Sequence, residues 1–258
     1  MMAEGFIVLS GALVGLVMGL VGGGGSILAV PLLLYVVGMP TVHAAIGTSA
    51  VAVALNAVGN LVVAMRRGLV KWPCAIAFTA VGMIGSFAGS HLALQVNGGK
   101  LLALFGGLML VIGTLMLVRK NAEGDPDVRL SMTTARHMAP WLFSIGLAVG
   151  MLAGFFGIGG GFLIVPGLML ATGMPITHAI ATSLVAITAF GSVTAIIYAR
   201  VGEVDWHIAS LFILGGIAGS ALGQYASTHL ADRKSTLQIL FASFVMVVGA
   251  YVLHKGVP

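Results

Sequence analysis

The chain has 258 residues, of which 59% are hydrophobic and only 7% charged, and its mean hydropathy is +1.11. A soluble domain carries about 25% charged residues, so this composition excludes a water-exposed globular domain and requires an integral membrane protein folded as one bundle. The net charge of +5 does not point to nucleic acid, because the Lys and Arg residues stand between hydrophobic segments, where they orient a chain in the bilayer.

The N-terminus reads MMAEGF, without the basic n-region of a secretory signal, so the first apolar stretch is expected to be retained. That stretch, 5–37, is interrupted by four consecutive glycines, Gly22 to Gly25, in "GLVGGGGSILAVP". Each glycine costs a helix about 1 kcal/mol relative to alanine, and four together predict a break. Segments 42–65, 72–94 and 101–118 follow, each near the roughly 20 residues that cross a bilayer. A polar connection at 119–139 comes next, then a second glycine-interrupted stretch at 140–172, and apolar segments at 176–199, 206–230 and 237–253. The pattern predicts an all-α, polytopic helix bundle of 8 to 10 hydrophobic segments, divided into 1–118, a linker at 119–139, and 140–258. A homo-oligomer is compatible with it.

The two halves repeat each other. Adding 135 carries Gly15, Gly19, Gly22, Gly24, Gly25, Leu28, Val30 and Pro31 onto Gly150, Gly154, Gly157, Gly159, Gly160, Leu163, Val165 and Pro166. The same shift maps "GMP" at 38–40 onto "GMP" at 173–175, and His43 onto His178. After a one-residue deletion, adding 134 maps Thr48, Ser49, Arg66, Gly68, Trp72, Gly82, Gly85, Gly89 and Lys100 onto Thr182, Ser183, Arg200, Gly202, Trp206, Gly216, Gly219, Gly223 and Lys234. If each broken segment crosses the membrane once, the repeats are parallel; if it dips in and returns, the second is inverted. With the Arg66/Arg67/Lys71 loop inside, both models leave nine Lys and Arg inside and three outside, so charge does not separate them. Paired broken segments at corresponding positions are a feature of inverted-repeat transporters, which favours inversion.

"GLVGGGGSILAVPLLLYVVGMP" followed by "HAAIGTS", with its partner "GFFGIGGGFLIVPGLMLATGMP" followed by "HAIATS", resembles the sulfite exporter TauE/SafE family of bacterial membrane permeases. The resemblance spans nearly the whole chain apart from 119–139. It implies a permease of the cytoplasmic membrane for small anions, notably sulfite and organosulfonates.

The glycine breaks are the first candidate site: Gly23, Gly24, Gly25 and Ser26 in one copy, Gly159, Gly160 and Gly161 in the other. Helix N-termini after such breaks present unsatisfied N–H donors and about half a positive charge, which suits an oxyanion. The plainer alternative is that small residues simply let membrane helices pack closely; it accounts for Gly15, Gly19, Gly82, Gly85 and Gly89 better than for four glycines in a row. Neither copy offers the G-x-x-x-x-G-K-[ST] of a phosphate loop. The hydroxyls of Thr48, Ser49, Thr182 and Ser183 are the second candidate, against the alternative of bonding back to their own helix. In the first copy Thr48, Ala52, Asn56 and Asn60 recur every four residues and share one helix face, a polar stripe expected to face the bundle interior. The second copy has Thr182, Ala186, Phe190 and Thr194, so a binding site built on both is expected to be asymmetric.

Histidine is the residue type that changes charge near neutral pH, which makes His43 and His178 candidates for proton coupling, though a polar interface residue at a helix start is the preferred reading of each. Trp72 and Trp206 read as interfacial anchors. All seven acidic residues lie outside the hydrophobic segments, whereas cation carriers keep carboxylates within the membrane; the pattern therefore favours an anion. The seven histidines are scattered and Cys74 is the one cysteine, so neither a metal site nor a disulfide is expected, nor any cofactor. An intramembrane hydrolase would need a nucleophile and base held together, which nothing in the pattern suggests. A membrane-embedded assembly or scaffold protein would not need two broken helices. The expectation is a transporter that is not an enzyme, with a small sulfur-containing anion and the bilayer as its partners.

Overall fold

A computed structural model describes residues 2–118, 132–157, 159–229 and 234–256. The described residues form ten α-helices and one 3-10 turn, with no strand among them. In chain order these are α1 (Met2–Val21), the 3-10 turn Gly23–Leu28, α2 (Ala29–Tyr35), α3 (Val42–Arg66), α4 (Trp72–Gln95) and α5 (Gly98–Val118). The second half contains α6 (Met132–Phe156), α7 (Gly161–Thr172), α8 (Ile176–Arg200), α9 (Trp206–His229) and α10 (Lys234–Gly256). Five helices are long and apolar enough to cross a membrane, namely α3, α4, α5, α8 and α9. Most of the polar connection, 119–131, lies outside the described residues. Its last residues, expected as linker, instead open α6, which starts at Met132; the polar "MTTARH" has helix-compatible residues that an apolar-run criterion overlooks.

Helix starts follow local chemistry. Thr41 caps α3 by accepting the Ala44 N–H at 3.0 Å, as an N-cap hydroxyl does. Pro73 stands in the first turn of α4, where its missing N–H costs nothing. The two G-M-P motifs place Gly38 and Gly173 at positive φ, 80° and 72°, and Gly173 closes α7 as its left-handed cap.

Glycine sets the tightest helix crossings. A Cβ at Gly15 of α1 would fall inside 3.0 Å of the Gly216 backbone of α9, and one at Gly150 of α6 would do the same to Gly82 of α4. One turn away on each side, Gly11 meets Phe212 and Gly19 meets Ser220, while Gly146 meets Phe78 and Gly154 meets Ser86. The two series run in the same chain sense, so α1 lies parallel to α9 and α6 parallel to α4. In contrast α3 and α8 are antiparallel. Gly47, near the start of α3, sits on Glu203 just beyond α8, and the Lys71 N–H just beyond α3 bonds Thr182 near the start of α8. α5 and α10 are antiparallel too, with Gly106 against Leu253 and Gly113 against Met246.

These directions fix the path of the broken stretch. α1 starts at the end of the bundle where α9 and α3 start, because Gly11 lies on the second turn of α9 and Thr48 bonds Asp205 beside α9's first residue. After α1 the chain doubles back, bringing Gly25 against Val14 and Met18. Residues 2–35 thus enter and leave at one end. By the same construction α6 and α7 enter and leave at the other, with Gly160 against Ala153 and Gly167 against Ile145.

The crossings give a direct test. Gly15→Ala and Gly150→Ala each overpack a backbone contact and are expected to cost about 1–3 kcal/mol. Gly59→Ala, with nothing within 4 Å of its added methyl, should leave stability unchanged or raised. Thermal unfolding of the purified variants in one detergent measures both.

Candidate functional site

The two glycine breaks meet where α3 and α8 cross. A Cβ on Gly23 would lie 2.7 Å from the Gly161 Cα, and one on Gly161 would strike the Gly23 carbonyl, so backbone touches backbone. Gly159 rests between Val53 of α3 and Ile187 of α8, at 3.1 Å from each by the same measure, and these two residues are 134 apart. The flanks are crosswise: Gly22 packs on Ile180 and Gly157 on Ile46. Gly22 has φ 80° and ψ −144°, a region essentially closed to residues with a Cβ.

The breaks differ in form. The second matches the expected helix N-terminus: Gly160 is left-handed at φ 70°, no side chain caps it, and α7 starts at Gly161. The first is not an α-helix start. Gly23, Gly24, Gly25 and Ser26 enter a wholly buried 3-10 turn, and α2 begins only at Ala29. Ser26 Oγ donates to the Gly23 carbonyl at 2.8 Å, which satisfies an acceptor that an α-helix would have paired four residues on. Tight 3-10 turns of this kind suit short connectors.

The hydroxyl pairs hold the two halves together. Thr48 Oγ1 accepts the Asp205 N–H at 3.0 Å, and Thr182 Oγ1 accepts the Lys71 N–H at 3.1 Å. The two bonds are related by the same shift of 134 residues. Both threonines are fully buried, and each keeps its own proton to donate. Ser49 donates to the Ile46 carbonyl at 2.9 Å and lies 3.5 Å from the Gly157 carbonyl of the second break; Ser183 donates to the Ile180 carbonyl at 2.8 Å. The back-bonding alternative therefore describes both serines.

The histidines part company. His178 Nδ1 bonds the Leu69 carbonyl at 2.8 Å, which is an interface role. His43 Nδ1 is buried with no hydrogen-bond partner, and its ring stands 6.3 Å from that of Tyr198, whose hydroxyl is also unpartnered. Asn56 is 2% exposed and lies on Gly216 of α9. A cavity of about 390 Å³ opens at the end of the bundle where α3 starts, lined by Met39, Pro40, Ala44, Gly202, Asp205 and Trp206. It borders the Thr48–Asp205 bond and includes no residue of the glycine breaks.

Two polar clusters join Asn60 and Thr194 of the stripes to partners that the sequence pattern did not name. Asn60 joins Ser220 at 3.3 Å and also Gln224, and Ser220 donates to the Gly15 carbonyl at 3.2 Å. Ser90 pairs with Thr194 at 2.9 Å and donates to Gly154 at 3.2 Å. The repeat held the signal, since Ser86 and Ser220 are themselves 134 apart, each directly after a repeated glycine.

Comparison with known proteins covers the same span. A family model described as "Sulfite exporter TauE/SafE" matches residues 7–252. A "Probable membrane transporter protein" of Xylella fastidiosa (strain Temecula1) is 48% identical over 247 residues, 96% of this chain and 94% of that protein. "Probable membrane transporter protein YunE" of Bacillus subtilis (strain 168) is 24% identical over 268 residues, 97% of each chain. "Probable membrane transporter protein YdhB" of the same organism is 26% identical over 222 residues, 84% of this chain and 87% of that one. No solved structure matches.

The threonine bonds carry their own prediction. Thr48→Val and Thr182→Val keep the shape and orphan a backbone N–H, so each should lower unfolding stability by about 1–3 kcal/mol. If the hydroxyls served a ligand alone, unfolding without ligand would not change.

Proposed function

The chain belongs to the sulfite exporter TauE/SafE family of membrane transporters, and from that premise we propose that it carries small sulfur-containing anions, of the sulfite or organosulfonate class, across the cytoplasmic membrane. The observation that carries the proposal is the backbone contact of Gly23 with Gly161 at the α3–α8 crossing. Glycine breaks in membrane helices free backbone N–H groups that lipid cannot satisfy, and such groups at a helix start favour an anion. The uncapped start of α7 is one such group of donors. The acidic residues among the described ones, including Glu203 and Asp205, stand at helix ends, away from the breaks.

In this proposal the two halves are inverted repeats, and movement of one against the other opens the Gly23–Gly161 contact alternately to each side. Supporting it, α3 and α8 occupy corresponding places in the sequence yet run antiparallel, and each broken stretch enters and leaves at its own end. On the inverted reading, nine of the twelve Lys and Arg of the sequence fall to the side of the first end, that of Arg66, Arg67 and Lys71, and Lys100, Arg200 and Lys255 fall to the other. By the excess of positive charge on cytoplasmic loops, the first end is cytoplasmic.

Two measurements test this. Purified protein in liposomes should move sulfite or a small sulfonate, and Gly159→Leu should abolish flux while the protein still elutes as a folded species. Absence of flux for every sulfur anion with folded protein would overturn the substrate assignment. For topology, Arg67→Cys and Val201→Cys, at corresponding loop positions, should be labelled from opposite sides of the membrane by an impermeant thiol reagent, in a Cys74→Ala background. Labelling from one side would rule out inversion.

A further inference from the structure

Asn56 and Asn60 stand one turn apart on one face of α3, and only one of them is wired. Asn60 donates to the Asn56 backbone carbonyl at 3.1 Å and to Ser220 at 3.3 Å, and its own carbonyl takes the Gln224 amide. Asn56 is 2% exposed, and neither its Nδ2 nor its Oδ1 has a hydrogen-bond partner. Leaving a buried polar group unpaired costs about 1–3 kcal/mol, and hydrocarbon offers no water in compensation. The same position in the second half is Phe190, whose ring packs on Gly82 as the Asn56 amide packs on Gly216. The fold therefore accommodates an apolar side chain here without difficulty, and Asn56 is not required by packing.

Its helix also touches a glycine break. Asn56 lies one turn from Val53, which touches Gly159, and on Gly216, which touches Gly15 of the helix leading into the first break. The amide offers a donor and an acceptor together, whereas the backbone N–H groups at the breaks only donate. An anion with acceptor oxygens alone satisfies Nδ2 and leaves Oδ1 unpaired. An anion that also carries an O–H or N–H satisfies both.

We propose that Asn56 is a substrate-contacting residue present in one copy only, and that it selects anions bearing a hydrogen-bond donor, such as hydrogensulfite or a hydroxyalkanesulfonate, over acceptor-only anions of the same size. This rests on the transport reading above and narrows its substrate class. A site built to pair a substrate hydroxyl discriminates against the analogue lacking it, because the site's own polar atom is then left unpaired.

The test compares 2-hydroxyethanesulfonate with ethanesulfonate, equal in charge and differing by one hydroxyl, as liposome flux and as thermal stabilisation of the detergent-solubilised protein. The native protein should prefer the hydroxy compound by about tenfold or more, the ratio that 1.4 kcal/mol gives. Asn56→Leu should bring the ratio near one by lowering flux of the hydroxy compound far more than that of ethanesulfonate, and Asn56→Phe, which copies the second half, serves if the leucine variant does not fold. An equal preference in the native protein or an unchanged ratio in folded variants would each overturn the proposal; where a folded variant moves neither compound, the ratio is read from thermal stabilisation. If the native protein moves no sulfur anion, the transport reading fails separately. Thermal stabilisation then decides: a preference for the hydroxy compound that Asn56→Leu removes supports the selectivity, and its absence overturns it.

Discussion

Helices in a bilayer gain little hydrophobic energy by touching one another, because lipid tails are as apolar as leucine. What remains is close contact, and here glycine supplies it. At Gly15–Gly216 and Gly82–Gly150 a single methyl would collide with the facing backbone. These two crossings position α1 on α9 and α6 on α4, and those pairs in turn hold each broken stretch with its glycines directed at the α3–α8 crossing. Side chains decide much less of this geometry than their bulk would suggest. Many large apolar residues, such as Phe87, Leu214 and Trp206, point outward toward where lipid would lie.

The same constraint makes the breaks tolerable. Irregular backbone at membrane depth survives only when protein covers it or it lines a cavity. Residues Gly23 to Leu28 are all buried, covered by α1, α7 and α8. Ser26 supplies one of the missing bonds from within the turn. The Gly23–Gly161 contact closes the remainder, so each half shields the other's break. Separation of the halves would expose backbone donors and acceptors together, which is tolerable only if water or a polar solute replaces the contact.

Much of this was legible in the sequence, and for a definite reason. Glycine and proline act locally and apolar runs of bilayer length mark the spans, so the two breaks, the G-M-P turns and the helix spans could be placed from the sequence. The shift between the halves extends to the packing, since Gly15 and Gly150 meet Gly216 and Gly82, themselves a corresponding pair, although the pattern did not say which would meet. The partners of Thr48 and Thr182 were beyond reach, because a bond to the backbone N–H of Asp205 or Lys71 leaves no trace in side-chain pattern. For a like reason the stripe of Asn56 and Asn60 read as uniform. Only the position of Ser220 and Gln224 on the neighbouring helix separates a wired amide from an unwired one. The first break also depends on tertiary context: four glycines predict that a helix stops, and the packing of Gly25 on α1 decides that a 3-10 turn follows.

Divergence between the halves extends to side chains that face inward. The glycines of the tightest crossings correspond, Gly15 with Gly150 and Gly82 with Gly216, while Asn56 corresponds to Phe190 and the unwired His43 to the wired His178. Backbone collision explains the first group, since no residue but glycine fits at either copy of a crossing. It places no such demand on the second. A bundle whose two halves share a frame but not a lining can keep the motion of a symmetric machine and still present different chemistry to its two ends. On the transport proposal, the first half, with Tyr35, His43, Asn56 and Thr79, holds most of the unpaired buried polar atoms among the described residues, and Tyr198 supplies one from the second. A solute crossing between the halves would therefore leave one set of polar partners and meet a plainer, more apolar one, which favours release once the contact between the breaks re-forms behind it.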